Sequence, residues 1–180
     1  MVKQTPVGMP VAEIPNRQVA ESGKQFRQTA DFLFAHLPEH NCVSPLLMVG
    51  AFGIELYLKS LNSNCVYHQD KLLEGLGGYR VTAKPIKWGH SLVVLFDEID
   101  EQFKGGLELA YASHGRKYQG ATLREALGVY DTLFVDSRYP FENSMKDGLN
   151  IDGLVGLLRF IADHVHGMPR HVSFPLDDSA

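Results

Sequence analysis

Cysteine, basic charge and long apolar runs are all scarce in this chain, and each shortage removes a class of protein. Only two cysteines occur, Cys42 and Cys65. They are too few for a disulfide framework and form no zinc spacing, so a reducing compartment is expected. The formal net charge of −4 over 180 residues argues against a surface that binds nucleic acid as a whole. Basic residues gather only thinly, as Arg17, Lys24 and Arg27, then Arg80, Lys84 and Lys87, then Arg116 and Lys117. The longest apolar stretch, Leu46 to Leu61, carries Glu55 and Lys59 and reads as too short for a membrane span. Met1 to Pro10 has no apolar core of the kind a signal peptide needs. The simplest expectation is a cytoplasmic protein without a membrane partner. P-loop, dinucleotide and nucleophile-elbow patterns are also missing, and Gly75-Leu-Gly-Gly78 is too short for a phosphate cradle. Neither a cofactor nor a metal is expected.

Apolar residues at 44% and charged residues at 21% are ordinary for one globular domain with a sizeable core. Residues 1–15 contain Pro6, Pro10 and Pro15 and read as a flexible or extended arm. A helical domain is expected over 16–168, followed by an extended tail over 169–180. Asn16 can cap a helix from Arg17 to about Leu37. Ser44-Pro45 can start a second helix, with serine as the cap, running to about Asn62. A third begins near His90 or Ser91 with Leu92, Leu95, Phe96, Ile99 and Phe103 on one face, and Gly105-Gly106 is expected to interrupt it. Thr122 with Glu125 forms a capping box for a helix reaching Tyr139. Asp152 is the expected cap of the last helix, which Gly167 and Pro169 stop. The fold class expected is all-α, a bundle of about five helices. A short β-hairpin insertion at 63–89 is the one exception, pairing Cys65-Val-Tyr-His with Tyr79-Arg-Val-Thr-Ala.

A few polar groups do not belong in a bundle core. The second helix is apolar nearly all round, which marks a central helix, and Gly50 and Gly53 would let a neighbour approach closely. Glu55 and Lys59 share a stripe of it with Met48 and Phe52. Either they form a surface i, i+4 pair, or Glu55 is partly buried and needs a cation from another helix, with Arg138 a suitable fork-shaped partner. Arg138 follows Phe134-Val-Asp-Ser and precedes Tyr139-Pro-Phe-Glu-Asn143. It either holds the bundle together through Asp131 or Glu55, or contacts a phosphate at a cleft between helices. His164 and His166 point to different sides of their helix and cannot share a metal. With His171 they fit the last-turn dipole or solvent better. His90, after Gly89, reads as a cap or loop anchor ahead of a catalytic group.

Three segments in order carry a resemblance. They are Ala51-Phe-Gly-Ile-Glu55-Leu-Tyr-Leu-Lys59-Ser-Leu, Gly89-His90-Ser-Leu-Val-Val-Leu-Phe and Phe134-Val-Asp-Ser-Arg138-Tyr-Pro-Phe-Glu142. Together they resemble the HEPN domain (higher eukaryote and prokaryote nucleotide-binding) over roughly residues 20 to 165. The resemblance implies a helical bundle, often dimeric, and in many members a metal-independent RNase. Their motif is an arginine followed, after four to six residues, by a histidine. Arg138 matches the arginine, but Asn143 stands at the histidine's place, and Ser144 and Met145 follow it. An amide cannot take a proton from a 2′-hydroxyl. A non-catalytic module is therefore expected, binding a nucleotide, RNA or a protein partner near Arg138, Asn143, Glu55 and Lys59, as a homodimer. One alternative is a divergent metal-independent endoribonuclease of a toxin or defence system, with Arg138, Glu142 and His90 as catalytic candidates. Another is a purely structural or interaction domain.

Overall fold

The computed structural model describes residues 10–69, 79–138 and 149–173. Along the chain the elements are β1 (Pro10–Ile14), α1 (Arg17–Ala35), α2 (Val43–Ser60), β2 (Ser63–Gln69), β3 (Tyr79–Pro85), α3 (Leu92–Asp97) and α4 (Glu101–Ser113). They continue as α5 (Leu123–Val129), α6 (Leu133–Asp136), α7 (Ile151–Gly167) and β4 (His171–Ser173). The expectation of an all-α bundle is overturned. The fold is mixed, with a four-stranded antiparallel sheet in the order β3-β2-β1-β4. The hairpin is present, in a register that sets Cys65 opposite Ala83 and Tyr67 opposite Val81, and Gly75–Gly78 lies outside the described residues. A lone hairpin is marginal in water. Here it continues through β1, which pairs Val11 with Cys65, and through β4, which pairs Val172 with Glu13.

The core sits among the helices. α2 packs against α1, α7, α6 and α3 and buries Leu46, Leu47, Ala51, Ile54, Tyr57 and Leu58 almost completely. Gly50 and Gly53 serve as expected. A Cβ at either would stand 3.0 Å from a side-chain carbon of Leu154 or of Leu158, so α7 packs directly on the α2 backbone. By length and composition α2 could cross a membrane (mean hydropathy 1.2), contrary to the expectation from its sequence, but 61% of that stretch is buried inside the fold.

Helix ends follow local hydrogen bonds, and here several expectations are corrected. Asn16 caps α1 through Val19 N–H at 3.2 Å, and the Thr122–Glu125 capping box heads α5, both as expected. α2 starts at Val43, ahead of the expected Ser44 cap, and places Pro45 within its first turn. Gly105-Gly106 does not interrupt a helix: it lies inside α4. The break falls earlier, at Glu98–Asp100, where Asp100 accepts from Gln102 N–H at 2.9 Å and starts α4 afresh. The expected single helix over 122–139 is split between α5 and α6. Asn150, not Asp152, caps α7, accepting from Gly153 N–H at 2.9 Å.

Candidate functional site

Glu55 anchors the site. It lies in the C-terminal half of α2 with its side chain fully buried, where an unpaired carboxylate would be severely destabilising. Two donors meet it. Lys59 Nζ, one turn along the same helix, lies 2.7 Å from Oε1. His90 Nδ1 lies 3.1 Å from Oε1 and 3.0 Å from Oε2. The partner that Glu55 was expected to need from elsewhere in the fold is therefore the His90 imidazole, which takes the place expected for Arg138. A carboxylate only accepts, so Nδ1 carries the proton and the opposite ring nitrogen, Nε2, is the acceptor when the ring is neutral. Among the described residues Nε2 has no hydrogen-bond partner, and about half of the His90 side chain is exposed, 46%.

The sequence around His90 builds this placement step by step. Gly89 has φ +132°, a conformation that side-chain-bearing residues rarely adopt. It turns the chain so that His90 faces α2. Ser91 then caps α3, accepting from Val94 N–H at 3.2 Å, while its hydroxyl donates to Asp131 at 2.8 Å. Asp131 also accepts from Val93 N–H at 2.8 Å. It thus ties the start of α3 to the α5–α6 junction, a different task from the pairing with Arg138 read from helical spacing. Leu92 follows with no exposure and anchors the loop in the core.

An aromatic floor joins this cluster to Arg138. The Phe134 ring on α6 stacks on Phe52 of α2, centroids 4.6 Å apart at 20°, and lies 5.0 Å from the His90 ring. Phe26 of α1 meets Phe52 edge-on at 4.7 Å. On the exposed side, the Arg138 guanidinium lies 5.3 Å from the Phe134 centroid, close enough for cation–π attraction. His90 and Arg138 therefore meet on one phenylalanine, and Glu55 and Lys59 join the cluster through His90. Asn143 and Glu142, the other expected site residues, lie outside the described residues. What sequence reading missed was Phe134 as the connector. Its helical spacing to Arg138 was visible, but it reads equally as an ordinary core residue.

The remaining histidines have local work. His164 Nδ1 lies 2.8 Å from the Phe160 carbonyl, and His166 Nε2 lies 3.1 Å from the buried Tyr57 hydroxyl. His171 packs edge-on against Phe103. Among the described residues no group of three or more His, Cys, Asp or Glu is placed to hold a metal ion. Comparison with protein-family models, curated proteins and solved structures finds no match to this chain.

Proposed function

We propose that this chain is a HEPN-like module that binds a phosphate-bearing ligand, a nucleotide or single-stranded RNA, on the surface shared by His90 and Arg138. It acts as the homodimer that the resemblance implies, and it holds its ligand without cleaving it. The observation that carries this reading is the convergence of His90 and Arg138 on Phe134, with His90 held in place by the buried Glu55. The Arg138 guanidinium can donate to a phosphate and His90 can do so through Nε2 when its ring carries a second proton, while Glu55 needs no ligand, because Lys59 and His90 already satisfy it. The loop that carries His90 also exposes Trp88, at 73%, an aromatic face on which a base can stack.

One observation favours a second reading, a divergent endoribonuclease. A carboxylate bonded to Nδ1 orients an imidazole so that Nε2 can take a proton, which is the arrangement a general base requires. In that case His90 accepts the proton of the 2′-hydroxyl and Arg138 stabilises the charge that develops on the phosphate.

Trp88 is the only tryptophan of the chain, so its fluorescence reports on this surface directly. Titration with a short single-stranded RNA, or with a nucleoside triphosphate, is expected to change its emission and to saturate. Arg138→Ala is expected to weaken binding about 10-fold or more while the protein stays folded by circular dichroism. RNA that stays intact with the pure protein supports binding alone. Cleavage that His90→Ala abolishes supports the nuclease. A variant that loses stability and leaves ligand titrations unchanged means that Arg138 is structural.

A further inference from the structure

A cavity of about 620 Å3 lies between α1 and one face of the sheet, apart from the His90 site. Its wall follows the strand alternation: Glu13 on β1, Cys65 and Tyr67 on β2, and Val81 on β3 all point to the same side. Arg17, at the start of α1, and Arg170, just ahead of β4, close the ring with positive charge. The size is that of small-molecule sites, about 300–1,000 Å3.

Glu13 makes this cavity more than a dent. The residue is only 7% exposed. Its Oε2 accepts from the Cys65 thiol at 3.0 Å. Its Oε1 is buried and has no hydrogen bond among the described residues. Arg170 Nε lies 2.7 Å from that oxygen, but in a direction that makes an ion pair without a hydrogen bond. A buried carboxylate oxygen facing no directional donor is an unfavourable arrangement. Burial, and then the bond to Glu13, push the Cys65 thiol up to about 11, so it stays a protonated donor. Oε2 is therefore settled and Oε1 is the open valence. Among the described residues Arg170, 58% exposed, is held by its charge pair with Glu13 and by the short strand after it.

We infer that this cavity binds a small zwitterion, a free α-amino acid, whose ammonium group donates to Glu13 Oε1 and whose carboxylate takes over Arg170 together with Arg17. The charge balance selects that class. A purely cationic ligand would separate Arg170 from Glu13 and leave the guanidinium only Glu21, which lines the same cavity and already pairs with Lys24 at 3.3 Å. A purely anionic one would draw Arg170 away and leave Glu13 buried alone. A zwitterion replaces one internal ion pair with two and adds no net charge. Tyr67 and Val81 give the ligand's side chain an apolar wall.

The test is thermal unfolding of the full chain with each of the common amino acids in turn, at about 10 mM. At least one is expected to raise the melting temperature by about 3 °C. Its N-acetyl derivative, lacking the ammonium, and its amide, lacking the carboxylate, are expected to give no shift. Glu13→Gln and Arg170→Met should each abolish the shift. If Glu13→Gln proves unfolded by circular dichroism, Arg170→Met and the two derivatives decide the matter. The inference is overturned if no amino acid shifts the transition, or if either one-charge derivative shifts it as much as the parent compound.

Discussion

Glu55→Ala is expected to lower the free energy of unfolding by about 3 kcal/mol, the range found when one member of a buried ion pair is removed. The residue is fully buried, and the variant leaves Lys59, only 14% exposed, as a cation without its anion. It also frees His90 from the only described residue that fixes its ring through a hydrogen bond. Urea unfolding of the variant measures the loss. The mechanism makes a second demand. Glu55→Leu combined with Lys59→Met removes both charges and replaces them with apolar volume, which is often close to neutral for a buried pair. The double variant is therefore expected to regain most of the stability lost by Glu55→Ala, yet to bind ligand weakly because His90 is no longer held. A Glu55→Ala protein as stable as the wild type would mean that the carboxylate does not organise the site.

Raising the pH through 10 to 12 is expected to unfold the protein progressively. Burial, before any other cause, pushes the Tyr57 and Tyr130 hydroxyls up to about 12 from an ordinary 10. Tyr57 lies against His166, and the Tyr130 hydroxyl points at Gln119 Oε1 and the Asn150 carbonyl at 2.9 and 3.0 Å. Both rings are fully buried. Because the folded state holds these protons more tightly than the unfolded state, the stabilisation is complete below pH 10. It declines as the pH rises through the folded values near 12. A rise from 10 to about 12 corresponds to a loss of roughly 3 kcal/mol per tyrosine once both protons are gone. The Cys65 thiol, raised to about 11, adds in the same direction. Urea midpoints measured across this range should fall steeply, and Tyr57→Phe should make the fall shallower. A flat profile would show that neither hydroxyl is sealed from water.

Local chemistry was the legible part of the sequence. Asn16, the Thr122–Glu125 box, and the glycines beneath Leu154 and Leu158 could all be read because each depends on neighbours a few residues apart or on a single helical face. The need of Glu55 for a cation was legible too, since a carboxylate on an apolar helix poses that question wherever it occurs. Which cation answers it was not. His90 is 35 residues away, and its reach depends on the left-handed turn at Gly89. On shape alone the fork of Arg138 fits a carboxylate better than an imidazole does. The sheet was the largest miss. β1 and β4 come from opposite ends of the chain, are five and three residues long, and carry no alternation strong enough to read in isolation. They become strands because Pro10–Ile14 finds β2 on one side and His171–Ser173 on the other. The end of α3 was missed for a related reason. Asp100 is a good cap whose effect shows only once the chain has turned, whereas Gly105-Gly106 looks like a break and is tolerated within α4.

The most direct test of the His90–Arg138 surface is a proton NMR titration of the histidine ring signals with a short single-stranded RNA, the His90 signal being assigned by its disappearance in His90→Ala. The expected result is a saturable shift of the His90 resonance that Arg138→Ala abolishes, with the signal of His164, which lies against the Phe160 carbonyl, left in place. A His90 signal that does not move while the RNA binds elsewhere, or a shift that survives Arg138→Ala unchanged, would contradict the proposed site.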